Sequence, residues 1–287
     1  MAAIYDREFK SYFINISGYL FIALILAAAG IFTAATNLFG RYPNFELVLS
    51  KISLFYIFFI PILTMRSITD ERRLRTDQLL YSLPMPLPSV VLGKYLAMIS
   101  ILLIPCLVLC IYPLILSRFG TVFFLTVYVS IAGYYLLGCA MIAIGMFMSS
   151  LTDNQVISFI LAVAVFAAFA LIPGLSTLIP SSALASLLAF SCIVVLIALA
   201  AWMMARSAAA SAVIAIILEL PLLIVFKLNP TAFEGLFQRF AGSLSLFQRL
   251  ENFTEGIFDL ASVIYYLSIC VIFVFFTVQS MDKRRWS

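Results

Sequence analysis

Residues 63–97 read LTMRSITDERRLRTDQLLYSLPMPLPSVVLGKYLA. Between Arg66 and Gln78, seven of thirteen residues are charged, in a chain where 10% are. Apolar runs long enough to cross a bilayer flank the stretch on both sides, so it is a polar loop between two membrane helices. Pro84, Pro86 and Pro88 stop any helix before the next span, because proline lacks an amide hydrogen and its ring clashes with the preceding turn. The loop therefore reads as a helix leaving the membrane, a break, and a second short helix. Ser67 with Asp70 fits a capping box, and Thr76 caps a turn starting at Asp77. Leu74, Leu79, Leu80 and Leu83 gather on one side. Two roles fit this pattern: an element that docks against another protein, or a solvated loop anchored by its arginines.

Outward from this loop the chain is apolar. Its 287 residues are 64% hydrophobic with mean hydropathy +1.16, whereas a soluble domain is roughly 45–50% apolar. The chain is thus read as an all-α polytopic membrane protein, with no hydrophilic block long enough for a soluble catalytic domain. Net charge is +4, but the Lys and Arg residues sit at helix ends, as the positive-inside rule requires, so nucleic acid is not expected as a partner. Cys106, Cys110, Cys139, Cys192 and Cys270 all fall within apolar runs, where thiols behave as small hydrophobes. With no histidine in the chain, neither disulfides nor a metal site is expected. The start of the chain is polar and lacks a small-residue cleavage site, so the first span is expected to be an uncleaved anchor.

Eight runs qualify as spans: 17–37, 48–66, 90–117, 122–149, 155–178, 183–204, 208–227 and 258–280. Pro173-Gly174, Pro180 and Ser181-Ser182 break them, and only Ala205-Arg206-Ser207 separates the sixth from the seventh. With the N-terminus inside, eleven Lys and Arg face the cytoplasm and six face out. An even number of spans, eight, or six without the 183–227 pair, then returns Lys283-Arg284-Arg285 to the cytoplasm. Residues 1–16 place Ile4, Tyr5, Phe9, Tyr12, Phe13 and Ile16 on one stripe, with Asp6, Arg7 and Lys10 opposite. That is an interfacial helix, or else the polar start of the first span. Residues 228–257 carry Phe233, Leu236, Phe237, Phe240, Leu244 and Phe247 at helical spacing, an amphipathic extracytoplasmic segment. Asn252-Phe253-Thr254 matches a glycosylation sequon, a motif common by chance. All of 1–287 reads as one transmembrane domain, with 67–88 as its cytoplasmic coupling loop.

The 63–97 string resembles the first cytoplasmic loop of ABC type-2 permeases, especially the gliding-motility-type group, whose members look like LTMR…EER…GTDQLLL…P…VLGK. YDREFKSYF…GY at 5–19 resembles the family's interfacial helix. AIGMFMSSLTDNQ at 143–155 resembles the turn between its fourth and fifth spans, and IYYLSICVIFVFFTVQSMDKRRW at 264–286 its last span and basic tail. The resemblance covers most of residues 1–160 and 250–287. It implies a six-span core, with 183–227 as an extra pair, in a multi-pass protein of a bacterial inner membrane. It also implies an ATP-driven exporter: ABC ATPase subunits bind ATP and Mg, a second identical or related permease chain completes the pair, and a partner with an extracytoplasmic auxiliary domain is possible. This chain has no GxxxxGK[ST] phosphate loop of its own. The implied ATPase contacts are Asp70, Glu71, Arg72, Arg73, Thr76, Asp77 and Gln78. Asp153, Asn154 and Gln155 form a second contact or a plain polar turn. Arg75 stands where the family usually has glycine, which makes a left-handed turn there less comfortable.

Glu219 is the lone intramembrane acid, and Pro221 frees the carbonyl of Ile217 and bends the helix. Burying a carboxylate in hydrocarbon is costly, so Glu219 reads as a translocation or subunit-contact site, or as a protonated acid hydrogen-bonded to a neighbouring helix. The competing functional class is an ion-driven secondary transporter or channel, which several intramembrane charges would favour. A membrane-embedded enzyme needs catalytic His, paired Asp or a Ser/Lys arrangement, which the spans lack.

Overall fold

The computed structural model describes residues 2–40, 42–73, 86–178, 180–205 and 208–285. Arg75, Thr76, Asp77, Gln78 and Arg206, with the leucines and Pro84 of the loop, lie outside them. The described residues form helices joined by short turns: α1 (Ala2–Ile14), α2 (Ser17–Thr33, running on as a π-helical turn over Ala34–Phe39), α3 (Glu46–Ser53), α4 (Tyr56–Thr64), α5 (Thr69–Arg73), α6 (Leu87–Leu109), α7 (Tyr112–Leu116), α8 (Phe124–Leu151), α9 (Gln155–Leu178), α10 (Ala183–Ala205), α11 (Ala208–Leu228), α12 (Leu236–Leu244), α13 (Gln248–Thr254) and α14 (Leu260–Arg285). No strand occurs among them.

Five of these are long and apolar enough to cross a membrane: Ser17–Phe39, Leu87–Leu116, Phe124–Leu151, Gln155–Ser176 and Leu260–Lys283. A sixth arises if α3 and the helix that follows it count as one span bent by 60°. The described residues thus include five or six candidate spans, among the eight expected from sequence. Residues 183–205 and 208–228, the expected extra pair, are both helical, over 23 and 21 residues, about the length a bilayer needs. The expected straight span 48–66 is broken. Ser53 Oγ bonds back to Ser50 O at 2.6 Å, and the amides of Phe55, Ile57 and Phe58 then bond three residues back instead of four. Back-bonding serines and tightened turns bend helices in this way.

The chain divides into two compact units, residues 1–168 with 246–287, and residues 169–245. In the first, α8 is the axis. Its span is 72% buried, against 39% for the next most enclosed. Helices α14, α6, α13, α4 and α3 all pack on it. Close approach is possible because α8 carries glycine where neighbours press. A Cβ on Gly133 would lie 2.6 Å from Phe253 Cγ, and one on Gly145 would lie 2.5 Å from Thr64 Oγ1. Small residues at such contacts are how membrane helices gain dispersion energy from each other. Tyr56 and Tyr134 stack at 4.4 Å in the same core. The expected amphipathic segment supplies α13, which buries Leu250 and Phe253 and receives a hydrogen bond from Ser130 Oγ on Phe253 O at 2.8 Å. Asn252 of the sequon donates to Asp259 at 3.3 Å. Asp259 in turn caps α14 by accepting from Ala261 N at 3.0 Å.

Helix α1 packs along α6. Ile4 meets Val90, Tyr5 donates to Ser100 Oγ at 3.0 Å, and the buried Tyr12 donates to Leu63 O at 3.3 Å. Ile16, expected on the buried stripe, is 79% exposed because the helix ends at Ile14.

In the second unit, α10 and α11 pack on one another. Phe190 of α10 packs edge-on against Phe237 and Phe240 of α12, at 5.7 and 5.5 Å. Gly235 precedes α12 at φ +67°, a left-handed conformation that glycine takes without Cβ strain.

Candidate functional site

Helix α5 is five residues long, too short to hold itself, since a helix nucleus fixes several dihedrals for few hydrogen bonds. It is held from outside. The hydroxyl of Ser149, near the end of α8, accepts from the amides of Ile68 and Thr69 at 3.2 and 3.4 Å. This cap in trans replaces the capping box expected from Ser67 and Asp70: Asp70 instead accepts from Gln155 Nε2 at the start of α9, and the Ser67 carbonyl faces α6 and accepts from Lys94 at 3.0 Å.

Lys94 is the centre of the arrangement. Its side chain is 2% exposed, and all three of its donors are used. Besides Ser67 O, its ammonium lies 2.8 Å from Glu71 Oε1 on α5 and 3.2 Å from Glu8 Oε1 on α1. Arg7 reaches the same two carboxylates at 2.6 and 3.1 Å. Two cations and two anions thus balance at the meeting of α1, α5 and α6. Burial pulls the Arg7 guanidinium down, but Glu8 and Glu71 outweigh it and hold its proton more tightly than usual. A buried lysine is tolerated only when paired and hydrogen-bonded, because transfer of an isolated charge from water is prohibitive. On the far side of α5, Arg72 lies 3.7 Å from Asp153, in the turn between α8 and α9.

The structure therefore brings together Asp70, Glu71, Arg72, Asp153 and Gln155, and points them at each other or at α1 and α6. Arg73 is exposed. Asn154 accepts from Val156 N at 2.9 Å and so caps α9. Thr76, Asp77 and Gln78 lie outside the described residues. Sequence reasoning missed Arg7, Glu8, Lys94 and Ser149 as members of this site. A signal existed for Glu8, which sits four residues from both Ile4 and Tyr12 and hence on the buried face of α1.

A family model described as ABC-2 family transporter protein matches residues 2–180. That is more than half of the chain and takes in the whole junction from α1 to the start of α9. The chain belongs to the ABC-2 family of transporter proteins. Family membership makes it a multi-pass membrane permease subunit of the ABC class, whose members work with ABC ATPase partners. It does not favour the ion-driven alternative. No curated protein and no solved structure matches the permease.

Glu219 belongs to the second unit. Ser191 Oγ on α10 donates to Glu219 Oε1 on α11 at 2.6 Å, so the acid joins two helices. Replacement by glutamine keeps the acceptor and is expected to leave assembly and transport at wild-type level. Glu219→Leu is expected to weaken the α10–α11 pairing by about 1 kcal/mol, the usual contribution of such a bond. Transport in reconstituted vesicles checks this; a glutamine variant that assembles but no longer transports would make the carboxylate itself functional.

Proposed function

We propose that the permease is the membrane half of an ATP-driven exporter of a bacterial inner membrane, in the gliding-motility-type group. In this reading, ABC ATPase subunits hold the ATP and Mg, and a second permease chain, identical or related, completes the translocation unit. A partner with an extracytoplasmic auxiliary domain fits the same assembly. The observation that supports this reading best is the attachment of α5. A short charged helix fixed at once to α1, α6 and the α8–α9 turn delivers any push on it to three spans together. Asp70, Glu71 and Arg72 are then positioning residues that hold α5. Arg73, Thr76, Asp77 and Gln78 are assigned to ATPase contact, while Asp153 and Gln155 brace α5 through Arg72 and Asp70 and Asn154 caps α9.

Co-purification with the ATPase subunit tests the assignment. The double substitution Arg73→Ala and Asp77→Ala is expected to weaken co-elution about tenfold, about 1.4 kcal/mol, and to lower transport in proportion. Charges at the rim of an interface act mainly on encounter and register, so the loss should grow with salt. Wild-type co-elution and transport in that variant would remove these residues from the interface.

A further inference from the structure

Beside the junction, between α1 and α5, lies a polar cleft of about 320 Å³, at the lower end of the range that small-ligand pockets occupy (about 300–1,000 Å³). Its walls include Ser11, Asn15 and Ser17 from the α1–α2 corner, and Arg66 and Asp70 from the chain entering α5. Arg7, Glu8, Glu71 and Lys94 border it too, but they neutralise each other. The charges left over are Arg66 and Asp70. Among the described residues Arg66 makes no ion pair, and its Nε is buried without a hydrogen-bond partner. Asp70 accepts from Gln155 alone and makes no ion pair with the described residues. A cleft with one uncommitted guanidinium and one uncommitted carboxylate matches a ligand that carries both charges close together.

We propose that this cleft takes the phosphoethanolamine headgroup of a membrane phospholipid, with the phosphate on Arg66 and the ammonium on Asp70. A guanidinium binds phosphate through paired charge-assisted bonds, and a primary ammonium offers donors to a carboxylate. Ser11, Asn15 and Ser17 supply further hydroxyl and amide groups for the phosphate oxygens. The surroundings select a lipid over a soluble ligand. Ile14, Ile16 and Tyr19, interleaved with Asn15 and Ser17, are 83%, 79% and 59% exposed, an apolar apron on which acyl chains lie. The inference rests on α1 lying at the membrane surface and not on ATP coupling, so it is read on the permease alone.

The test reconstitutes the full chain in nanodiscs containing equal parts of phosphatidylethanolamine, phosphatidylglycerol and phosphatidylcholine, transfers it to mild detergent, and identifies the retained lipid by native mass spectrometry. The wild type is expected to retain phosphatidylethanolamine about tenfold over either competitor. Phosphatidylglycerol lacks the ammonium, and the methylated ammonium of phosphatidylcholine has no N–H to donate. Arg66→Gln and Asp70→Asn should each abolish that preference, and Arg66→Lys should keep part of it. Asparagine preserves the acceptor for Gln155, so Asp70→Asn reads the site even if Arg66→Gln fails to fold. Equal retention of the three lipids, or an unchanged preference in Asp70→Asn, would overturn the proposal. Displacement of the lipid by micromolar soluble phosphoethanolamine would reassign the cleft to a soluble ligand and overturn the lipid assignment.

Discussion

Replacing Lys94 by methionine is expected to destabilise the permease by about 3–5 kcal/mol, the range for removing one partner of a buried ion pair. The gross attraction between Lys94 and Glu71 at 2.8 Å is about 6 kcal/mol at an effective dielectric of about 20. Desolvation of several kcal/mol per ion offsets most of it. The pair therefore adds little net, and the cost arises because the substitution leaves Glu8 and Glu71 facing each other with Arg7 alone between them. The midpoint of unfolding in detergent should fall, and protease should cut between α1 and α2. The double variant Lys94→Met, Glu71→Met should recover much of the loss, since replacing both partners by apolar groups of similar shape is nearly neutral. Its stability would return while transport stayed low, because α5 would no longer be fixed to α6. A single Lys94→Met variant with a wild-type midpoint would remove the junction from the account of stability.

The second large effect is expected at Gly145. An alanine Cβ there would lie 2.5 Å from Thr64 Oγ1 and 3.0 Å from both Thr64 Cβ and Cγ2. Thr64 is fully buried and its hydroxyl is engaged with Ile60 O at 3.1 Å, so the side chain cannot swing aside. Overpacking of this kind costs about 1–3 kcal/mol, and Gly145→Val should cost more. The strain falls on α4, which leads through Met65 to Ile68 directly into α5, so transport should fall together with stability. Gly30→Ala is the control. Nothing lies within 4 Å of a Cβ there, and alanine in a helix gains about 0.5–1 kcal/mol over glycine. If Gly145→Ala matched Gly30→Ala in stability, α4 and α8 would not be held by this contact.

The sequence made the helices of the first unit legible because their apolar runs are long and their ends carry prolines or polar turns. The α8–α9 turn at Thr152–Asn154 and the amphipathic α12 and α13 follow from spacing alone. The bend between α3 and α4 was not legible, since residues 48–66 are apolar enough to read as one span and the Ser53 back-bond to Ser50 leaves no sequence pattern. The charged loop announced itself by composition, but its wiring did not. Lys94 finds its partners 23 and 86 positions away, at Glu71 and Glu8, and pairings at that distance leave no local pattern. What the sequence did offer was a lone lysine just inside an apolar span and a glutamate on the buried stripe of a surface helix. Each of those needs an opposite charge. The helix-start signal at Ser67 misled for a related reason: the cap comes from Ser149, on a different span.

The first unit is discontinuous in the chain, and this has a bearing on its biogenesis. Helix α14, which covers more of α8 than any other helix does, begins at Leu260, 109 residues after α8 ends at Leu151. At roughly 5–20 residues per second, the ribosome needs on the order of 5–20 s to make the intervening chain. For that time the flank of α8 that α14 will occupy is presented to lipid or to the insertion machinery. Polar groups on that flank would be costly during the wait, and an apolar side chain there, such as Phe147, which later packs on Phe273 and Phe276 at 5.7 and 5.8 Å, can wait in lipid without that cost.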